Sequence, residues 1–195
     1  MPSAITVIRD EHRSLAAVLQ GLLFLVDELE AGRATPDFPL LEAMLRYLVD
    51  VPEKLHHPKE DEHLFRALAA RDPAAAALLE ELEREHVAGR ARVVGLAAAL
   101  GAYTHEGAPA LAPFAEAVRA YAAFHWEHMR KEEDRVLPRA REVLSPGDWA
   151  AIDAAFASNA DPLAGADPRL ELRELFRRIA ATAPPPIGVG PGRPR

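Results

Sequence analysis

Two histidine–glutamate pairs constrain the fold of this chain more than any other feature. In each pair the glutamate follows the histidine by four residues: His56 with Glu60, and His128 with Glu132. On an α-helix this spacing brings both side chains onto one face, one turn apart. An imidazole nitrogen and a carboxylate oxygen offered together suit a divalent transition metal such as iron, manganese or zinc. The pairs therefore predict helices that carry metal ligands.

Four long segments have apolar residues at the spacing of amphipathic helices. Short turns containing glycine and proline separate them, and no alternating apolar–polar pattern of a strand competes with this interpretation. Four such helices in succession describe an all-α, up-and-down four-helix bundle. The predicted helices cover residues 5–31, 37–70, 72–100 and 109–143.

Proline residues interrupt the second and fourth of these helices. Pro52 and Pro58 lie within the second, and Pro138 lies within the fourth. Each proline lacks a backbone donor, so we expect it to bend or divide its helix. The third helix opens instead at Asp72-Pro73, a capping residue followed by proline at the first helical position.

The chain beyond the bundle predicts smaller elements. Short helices are expected over residues 149–156 and 168–181, and Ser145 or Asp148 is expected to cap the first of them. The last residues are rich in proline and glycine, which is typical of a flexible tail. The expected divisions are a bundle over residues 1–144, accessory helices packed on it over 145–182, and a tail over 183–195.

Composition excludes several classes of function. The 195 residues include no cysteine, which rules out disulfides, iron–sulfur clusters and a cysteine nucleophile. A net charge of −7 argues against general attraction to nucleic acid or to anionic membranes. Neither a signal-peptide pattern nor a run of about 18 apolar residues is present, so a cytoplasmic location is expected. The excess of arginine over lysine and the abundant alanine are typical of a GC-rich bacterial genome.

Histidines in the other two helices extend the metal hypothesis. His12 lies midway along the first predicted helix, and His86 lies midway along the third. In an up-and-down bundle each helix would then present one histidine at a comparable depth. Six donors are too many for one structural zinc, which takes four, but suit two metals bridged by carboxylates. The predicted ligands are His12, His56, Glu60, His86, His128 and Glu132.

Three further residues are weaker candidates. His57 lies about 100° round the helix from His56 and should not share its inward direction. It is expected to be an outer metal ligand, a hydrogen-bond donor to one of the ligands, or a solvent-exposed side chain. His125 precedes His128 by three residues, so it either lines the mouth of the site or packs in the core. Glu133 is the best substitute ligand among the remaining carboxylates.

Taken together, these residues resemble the hemerythrin-like family, also called the His-His-Glu cation-binding domain. The resemblance covers roughly residues 5–144 and implies a non-haem di-iron centre, bridged by the two carboxylates and an oxo or hydroxo group. Its members bind dioxygen, sense oxygen or iron, or respond to oxidative and nitrosative stress. The motifs that carry the resemblance are Asp10-Glu11-His12-Arg13, residues 56–65, Arg84-Glu85-His86, residues 128–133 and Leu137-Pro138.

One departure from the family pattern concerns Arg90. Oxygen-carrying hemerythrins have a second histidine four residues after the ligand of the third helix, and this chain has Arg90 there. A guanidinium stays protonated and cannot ligate a metal. The resemblance therefore implies a vacancy, to be filled by water, Glu133 or His57, and it puts reversible oxygen transport in doubt.

Three functions remain open on the sequence. The first is a di-iron protein that binds or senses dioxygen, reactive oxygen or nitrogen species, or iron, with manganese or zinc as substitute metals. The second is a di-iron oxidoreductase, either peroxidase- or catalase-like or nitric-oxide-consuming. The third is a metal-free helical module that acts through partners. The expected partners are metal ions and dioxygen or another small ligand, without nucleic acid or membrane, and a homodimer is an open alternative.

Overall fold

The structure, a computed structural model, describes residues 3–158, and within that range the chain is helical with no strand. This confirms the all-α prediction. Helix α1 covers Ser3–Glu30. The turn after it contains Gly32, whose φ of +66° favours glycine, and Arg33 N donates to Glu28 O across the turn. None of the described helices is both long and apolar enough to span a membrane.

The second bundle helix is a chain of short segments, as its prolines predicted. Pro52 and Pro58 stand at the starts of two segments, and π-helical turns join the α-helical parts. In a π turn the backbone bonds to the fifth residue back, as His56 N does to Val51 O at 3.0 Å. The segments are α2 (Phe38–Asp50), π1 (Pro52–His56), α3 (His57–Lys59), π2 (Glu60–Phe65) and α4 (Arg66–Arg71).

The third bundle helix is a single long α-helix, whereas the fourth, like the second, contains a π-helical turn. Asp72 caps the third, as predicted, and accepts a bond from Ala74 N at 3.2 Å. The third helix then continues past the predicted residue 100 to its end at Gly107, where φ is +71°. The segments are the 3₁₀ turns Pro73–Ala75 and Ala108–Ala110, α5 (Ala76–Glu106), α6 (Leu111–Lys131), π3 (Glu132–Val136) and α7 (Leu137–Val143).

Neighbouring helices contact one another in a closed ring. α1 packs on α2 and α6, and α5 packs on α2 and α6, so helices consecutive in sequence are also neighbours in space. Two separate apolar clusters hold the ring together. One includes Leu22, Leu48 and Phe114, and the other includes Ile8, Leu64 and Leu137. The layer between these clusters contains the site.

Helix α8 (Pro146–Phe156) packs on α1 beyond the bundle. Ser145 and Asp148 form a reciprocal capping box at its start, so both predicted capping residues take part. Ile152 lies in the second apolar cluster, and Asp153 accepts a bond from Ala4 N at 2.7 Å. The predicted helix over residues 168–181 and the tail over 183–195 lie outside the described residues.

Removing the cap of α8 should measurably weaken the fold. Ser145 Oγ accepts the Asp148 N–H at 3.2 Å, and substitution of such a residue by alanine typically costs about 1 kcal/mol. We expect Ser145→Ala to lower the free energy of unfolding in urea by about that amount. Ser158→Ala, whose hydroxyl makes exposed hydrogen bonds with Lys59 Nζ and Ala155 O and caps no helix N-terminus, is the control. Equal stability of the two variants would contradict a capping role.

Candidate metal centre

A layer of buried polar side chains crosses the bundle between the two apolar clusters. All four bundle helices contribute to it, and each member exposes 7 % or less of its surface. Burying so many ionisable groups is costly unless they are paired or bind metal ions. The layer consists of Glu11, His12, Glu53, His56, His57, Glu60, His86, His125, His128 and Glu132.

The six ligands predicted from the sequence meet in this layer as two groups of four. In the first group, His12 Nε2 lies 3.1 Å from His56 Nε2. The carboxylates approach the same point, with Glu60 Oε2 3.2 Å from His56 Nε2 and Glu132 Oε2 3.3 Å from His12 Nε2. All four donor atoms lie within 4.8 Å of one another, a spacing that could hold one metal ion.

The second group pairs the other two histidines with the same two carboxylates. His86 Nε2 lies 3.0 Å from His128 Nε2. Glu132 Oε1 lies 3.2 Å from His128 Nε2, and Glu60 Oε2 lies 3.7 Å from His86 Nε2. Glu132 therefore offers one oxygen to each group. This is the geometry of a carboxylate that bridges two cations.

The two shared carboxylates fit a pair of bound cations. Glu60 and Glu132 are almost fully buried, and neither has a hydrogen-bond partner for either carboxylate oxygen within residues 3–158. An uncompensated buried carboxylate is strongly unfavourable. Four imidazole nitrogens facing the same oxygens complete a donor set of the type that iron, manganese and zinc accept.

Four outer carboxylates orient the four histidines. Each histidine turns Nε2 inward and donates its Nδ1–H outward to a carboxylate, an arrangement that fixes the ring and its tautomer for metal binding. Every helix supplies the carboxylate for the histidine of the next helix, and the fourth serves the first. The pairs are Glu11 with His56 (2.8 Å), Asp61 with His86 (2.7 Å), Glu85 with His128 (2.9 Å) and Glu133 with His12 (2.9 Å).

Sequence reasoning assigned no role in the site to three of these outer carboxylates, Glu11, Asp61 and Glu85. It gave Glu133 as a possible additional ligand or a partner of a ligand. The structure places Glu133 on the outer side of His12. A signal was present, because each outer carboxylate is the immediate sequence neighbour of a predicted ligand.

The direction predicted for His57 is wrong. Its side chain is 2 % exposed, and its ring stacks on His86 with 4.1 Å between centroids. One donor atom each from His57, His86 and His128 lies within 4.8 Å of the others. The cause is local, since His57 begins the short helix α3 between two π turns, and the usual angle per residue does not hold there.

Three further buried groups border the second group of donors. His125 is completely buried and lies parallel to His57, with 6.1 Å between ring centroids, so it lies inside the core and not at a mouth. The Tyr121 ring lies 4.3 Å from that of His125. Glu53 Oε2 lies 3.5 Å from His57 Nδ1. Neither Glu53 nor Tyr121 was predicted as a site residue from the sequence.

Arg90 lies outside the donor groups. It is exposed, and its effect on the layer is electrostatic. Burial raises the pKa of Glu53 to about 7, while the positive charge of Arg90 acts in the opposite direction. Arg90 therefore neighbours the layer as a charge and supplies no donor.

The first group of donors lies beside a surface cleft on its His12 side. A surface cleft of about 280 Å³ reaches His12 and Glu133. Trp126, which is 38 % exposed, also lines this cleft. The Glu133 side chain is 39 % exposed, whereas the Glu11 side chain, which serves His56, is 2 % exposed. A small molecule in solvent can therefore approach His12 through the cleft.

The charges of the layer follow from its carboxylates. Burial lowers the pKa of His86, but the hydrogen bond to Asp61 and the nearby Glu132 carboxylate outweigh it and the pKa rises to about 9. Burial likewise opposes the charged form of His128, but Glu132 and Glu85 raise its pKa to about 10. Without metal, these raised pKa values favour a bound proton on the His86–His128 pair at neutral pH, and its positive charge offsets the negative charge of the buried carboxylates.

The pKa values of two other histidines shift in the opposite direction. Burial, reinforced by His86 and His56, holds the pKa of His57 well below its usual value. Burial and the charge of His128 lower the pKa of His125 to about 3. Both rings are therefore neutral at physiological pH, and a neutral imidazole is the form that can bind a metal.

Comparison with known proteins supports the same interpretation of the layer. The family model of the hemerythrin HHE cation-binding domain matches residues 3–140, which include every member of both donor groups. Comparison with curated proteins and with solved structures gave no match.

The metal-free protein should lose stability at alkaline pH. The folded-state pKa values of His86 and His128, about 9 and about 10, exceed the usual value of 6.5. Their contribution is therefore complete below about pH 6.5 and is lost as the pH rises through about 9 to 10. Each unit of difference corresponds to about 1.4 kcal/mol. Urea unfolding in the presence of chelator, from pH 6 to pH 10, would measure the decline, and constant stability over that range would contradict it.

Proposed function

The chain belongs to the hemerythrin HHE cation-binding domain family, and from this premise we propose that it is a non-haem di-iron protein. Its role would be to bind or sense dioxygen, reactive oxygen or nitrogen species, or iron. One observation carries the proposal: Glu132 presents Oε2 to His12 and Oε1 to His128, at 3.3 and 3.2 Å. A carboxylate so placed serves two metal ions at once.

The residues divide the work of holding two ions. His12 and His56 would be the terminal ligands of the first ion, and His86 and His128 those of the second. Glu60 and Glu132 would bridge the pair. The outer carboxylates hold Nδ1–H of each ring, so that the Nε2 lone pair faces the ion.

His57 is the best candidate for an additional ligand of the second ion. A donor atom of its ring lies within 4.8 Å of donor atoms of His86 and His128, and its imidazole is neutral. This would fill the vacancy left by Arg90 with an imidazole from the second helix. The two ions would then be unequal, with two imidazoles on one and three on the other.

The donor set accepts iron, manganese or zinc, and the proposal of iron rests on the family resemblance. Imidazole and carboxylate donors suit all three ions, and no thiolate is present to favour a softer one. Iron would supply a change of oxidation state and a position for an oxygen-containing ligand. The chain contributes the buried layer, which surrounds that position with fixed charges and excludes bulk water.

An oxidoreductase would use the same ligands, so ligand geometry does not separate it from a binding or sensing protein. Steady consumption of hydrogen peroxide or nitric oxide by the iron-loaded chain would assign the enzyme, whereas stoichiometric reaction would assign the binder. A metal-free module predicts a melting temperature that is unchanged by chelator.

Metal stoichiometry tests the central claim. We expect anaerobic loading with Fe(II) to give two iron ions per chain, and exposure to oxygen to give the charge-transfer absorption of an oxo-bridged ferric pair. Glu132→Gln removes the carboxylate that serves both groups, so it should hold one ion or none and lack this absorption.

Glu127→Gln is the matched control, since Glu127 lies on the same helix but is exposed and pairs with Arg130. This variant should bind two ions. Wild-type protein that holds one ion or none after anaerobic loading would refute the di-iron proposal.

The outer carboxylates generate a separate prediction about affinity. Glu11 is buried and accepts the His56 Nδ1–H at 2.8 Å. Glu11→Gln keeps the shape but removes the charge, and loss of such a partner typically weakens metal binding by about 10- to 100-fold. Competition with a chromophoric chelator would measure the change. Asp10→Asn, the more exposed neighbour that pairs with Arg13, should leave affinity unchanged, and equal affinities for both variants would argue against an orienting role for Glu11.

A further inference from the structure

Four buried side chains beside the second donor group form what we call the inner polar pocket: Glu53, His57, Tyr121 and His125. They leave polar atoms without a hydrogen-bond partner among the described residues. These are both carboxylate oxygens of Glu53, His57 Nδ1, the Tyr121 hydroxyl and both ring nitrogens of His125. Each side chain belongs to a residue that is 7 % exposed or less.

The four side chains are neighbours. Glu53 Oε2 lies 3.5 Å from His57 Nδ1, and the parallel rings of His57 and His125 lie 6.1 Å apart. The Tyr121 ring lies 4.3 Å from that of His125. Burial raises the pKa of Tyr121, and the charge of Glu53 raises it further, which places the hydroxyl within reach of the carboxylate's field.

A glycine lines the same pocket. Gly89 lies inside the long helix α5, where glycine is about 1 kcal/mol less favourable than alanine. A Cβ at this position would lie 3.1 Å from Glu53 Oε1 and 3.7 Å from His125 Cε1. Gly95, on the same helix, has no atom within 4 Å of its corresponding Cβ. Because Gly89 has no side chain, the Glu53 carboxylate can lie directly against the backbone of α5.

The unpaired polar atoms of this pocket require a hydrogen-bond partner. Leaving one buried donor or acceptor unsatisfied costs about 1–3 kcal/mol. Buried polar groups of this kind are normally satisfied by internal water that makes two to four hydrogen bonds. The second donor group does not meet this need, because the unpaired atoms of Glu53, Tyr121 and His125 are not among those grouped around a metal position.

The pocket combines donors with acceptors. The Tyr121 hydroxyl donates and accepts, a neutral His125 ring has one donor and one acceptor nitrogen, and Glu53 provides carboxylate oxygens. An anion would face the Glu53 carboxylate, and a cation would face the N–H and O–H groups. A small neutral molecule that both donates and accepts matches the whole set.

We propose that the inner polar pocket binds a small protic molecule of one or two oxygen atoms: water at rest and hydrogen peroxide in its place. The inference rests on the proposed function, because His57 joins the pocket to the second metal position. His57 would bind that metal through one nitrogen and face the Glu53 carboxylate with Nδ1. Occupants of the pocket would thus lie directly behind a ligand of the metal.

Zinc-loaded full-length protein allows a test without redox turnover. A crystal structure at high resolution should show ordered water in hydrogen-bond contact with at least two of Glu53, Tyr121 and His125. A dry pocket would overturn the proposal, as would a Glu53 carboxylate turned onto the metal. A zinc content of two per chain in the same crystals tests the proposed function separately, so the two failures are distinguishable.

Hydrogen peroxide is the probe for the second half of the claim. Titration of zinc-loaded, ¹⁵N-histidine-labelled protein with hydrogen peroxide should shift the ring nitrogens of His125 and His57 in a saturable way. Tyr121→Phe removes one hydrogen bond, so the dissociation constant should rise by about three- to tenfold. Tyr103→Phe changes a buried tyrosine of the first apolar cluster and should leave the constant unchanged.

Glycine variants provide an independent arm. Gly89→Ala should displace Glu53 and weaken peroxide binding, whereas Gly95→Ala should not. Absence of a saturable shift in the wild-type protein would overturn peroxide binding. Equal dissociation constants for wild type and Tyr121→Phe would overturn the assignment of this pocket.

Discussion

Burial of two shared carboxylates between four imidazoles is the constraint on which the rest of this structure depends. Glu60 and Glu132 lie in the middle of the bundle, with apolar clusters on both sides. Their charge must be compensated where they are, because no described hydrogen bond satisfies their oxygens. Protonated histidines compensate this charge in the metal-free protein, and cations compensate it in the metal-bound one. Metal uptake is therefore coupled to the release of protons.

The outer carboxylates turn this local requirement into a property of the whole bundle. Because each helix supplies the hydrogen-bond acceptor for the histidine of the next, the ring closes only when all four helices are in register. Glu11 serves the second helix and Glu133, from the fourth, serves the first. A shift of one helix by a turn would break two of these hydrogen bonds together: the one that its histidine donates and the one that its carboxylate accepts. The polar layer therefore specifies the alignment that the apolar clusters alone would leave free.

Much of this arrangement was predictable from sequence, and the exceptions share a physical cause. Helical periodicity predicted the bundle. The two histidine–glutamate pairs, with one histidine midway along each of the other two helices, predicted which six side chains would meet. The π turns were not predictable, because a proline indicates only that a helix is bent or interrupted and not which backbone geometry replaces it. That is why the direction of His57 was wrong and why Glu53 was missed. Three of the four outer carboxylates were missed because an isolated acidic residue on a helix is usually solvated, and only the packed bundle makes Glu11 differ from Asp10.

The two donor groups have equivalent histidine pairs but different surroundings. The first lies beside a surface cleft that reaches His12. The second is enclosed by His57 and His125, whose rings stay neutral because burial and neighbouring positive charges lower their pKa values. The two groups thus differ in the neutral imidazoles, which lie beside the second group. Since the same two carboxylates face both groups, that difference in surroundings would make two bound cations unequal in affinity.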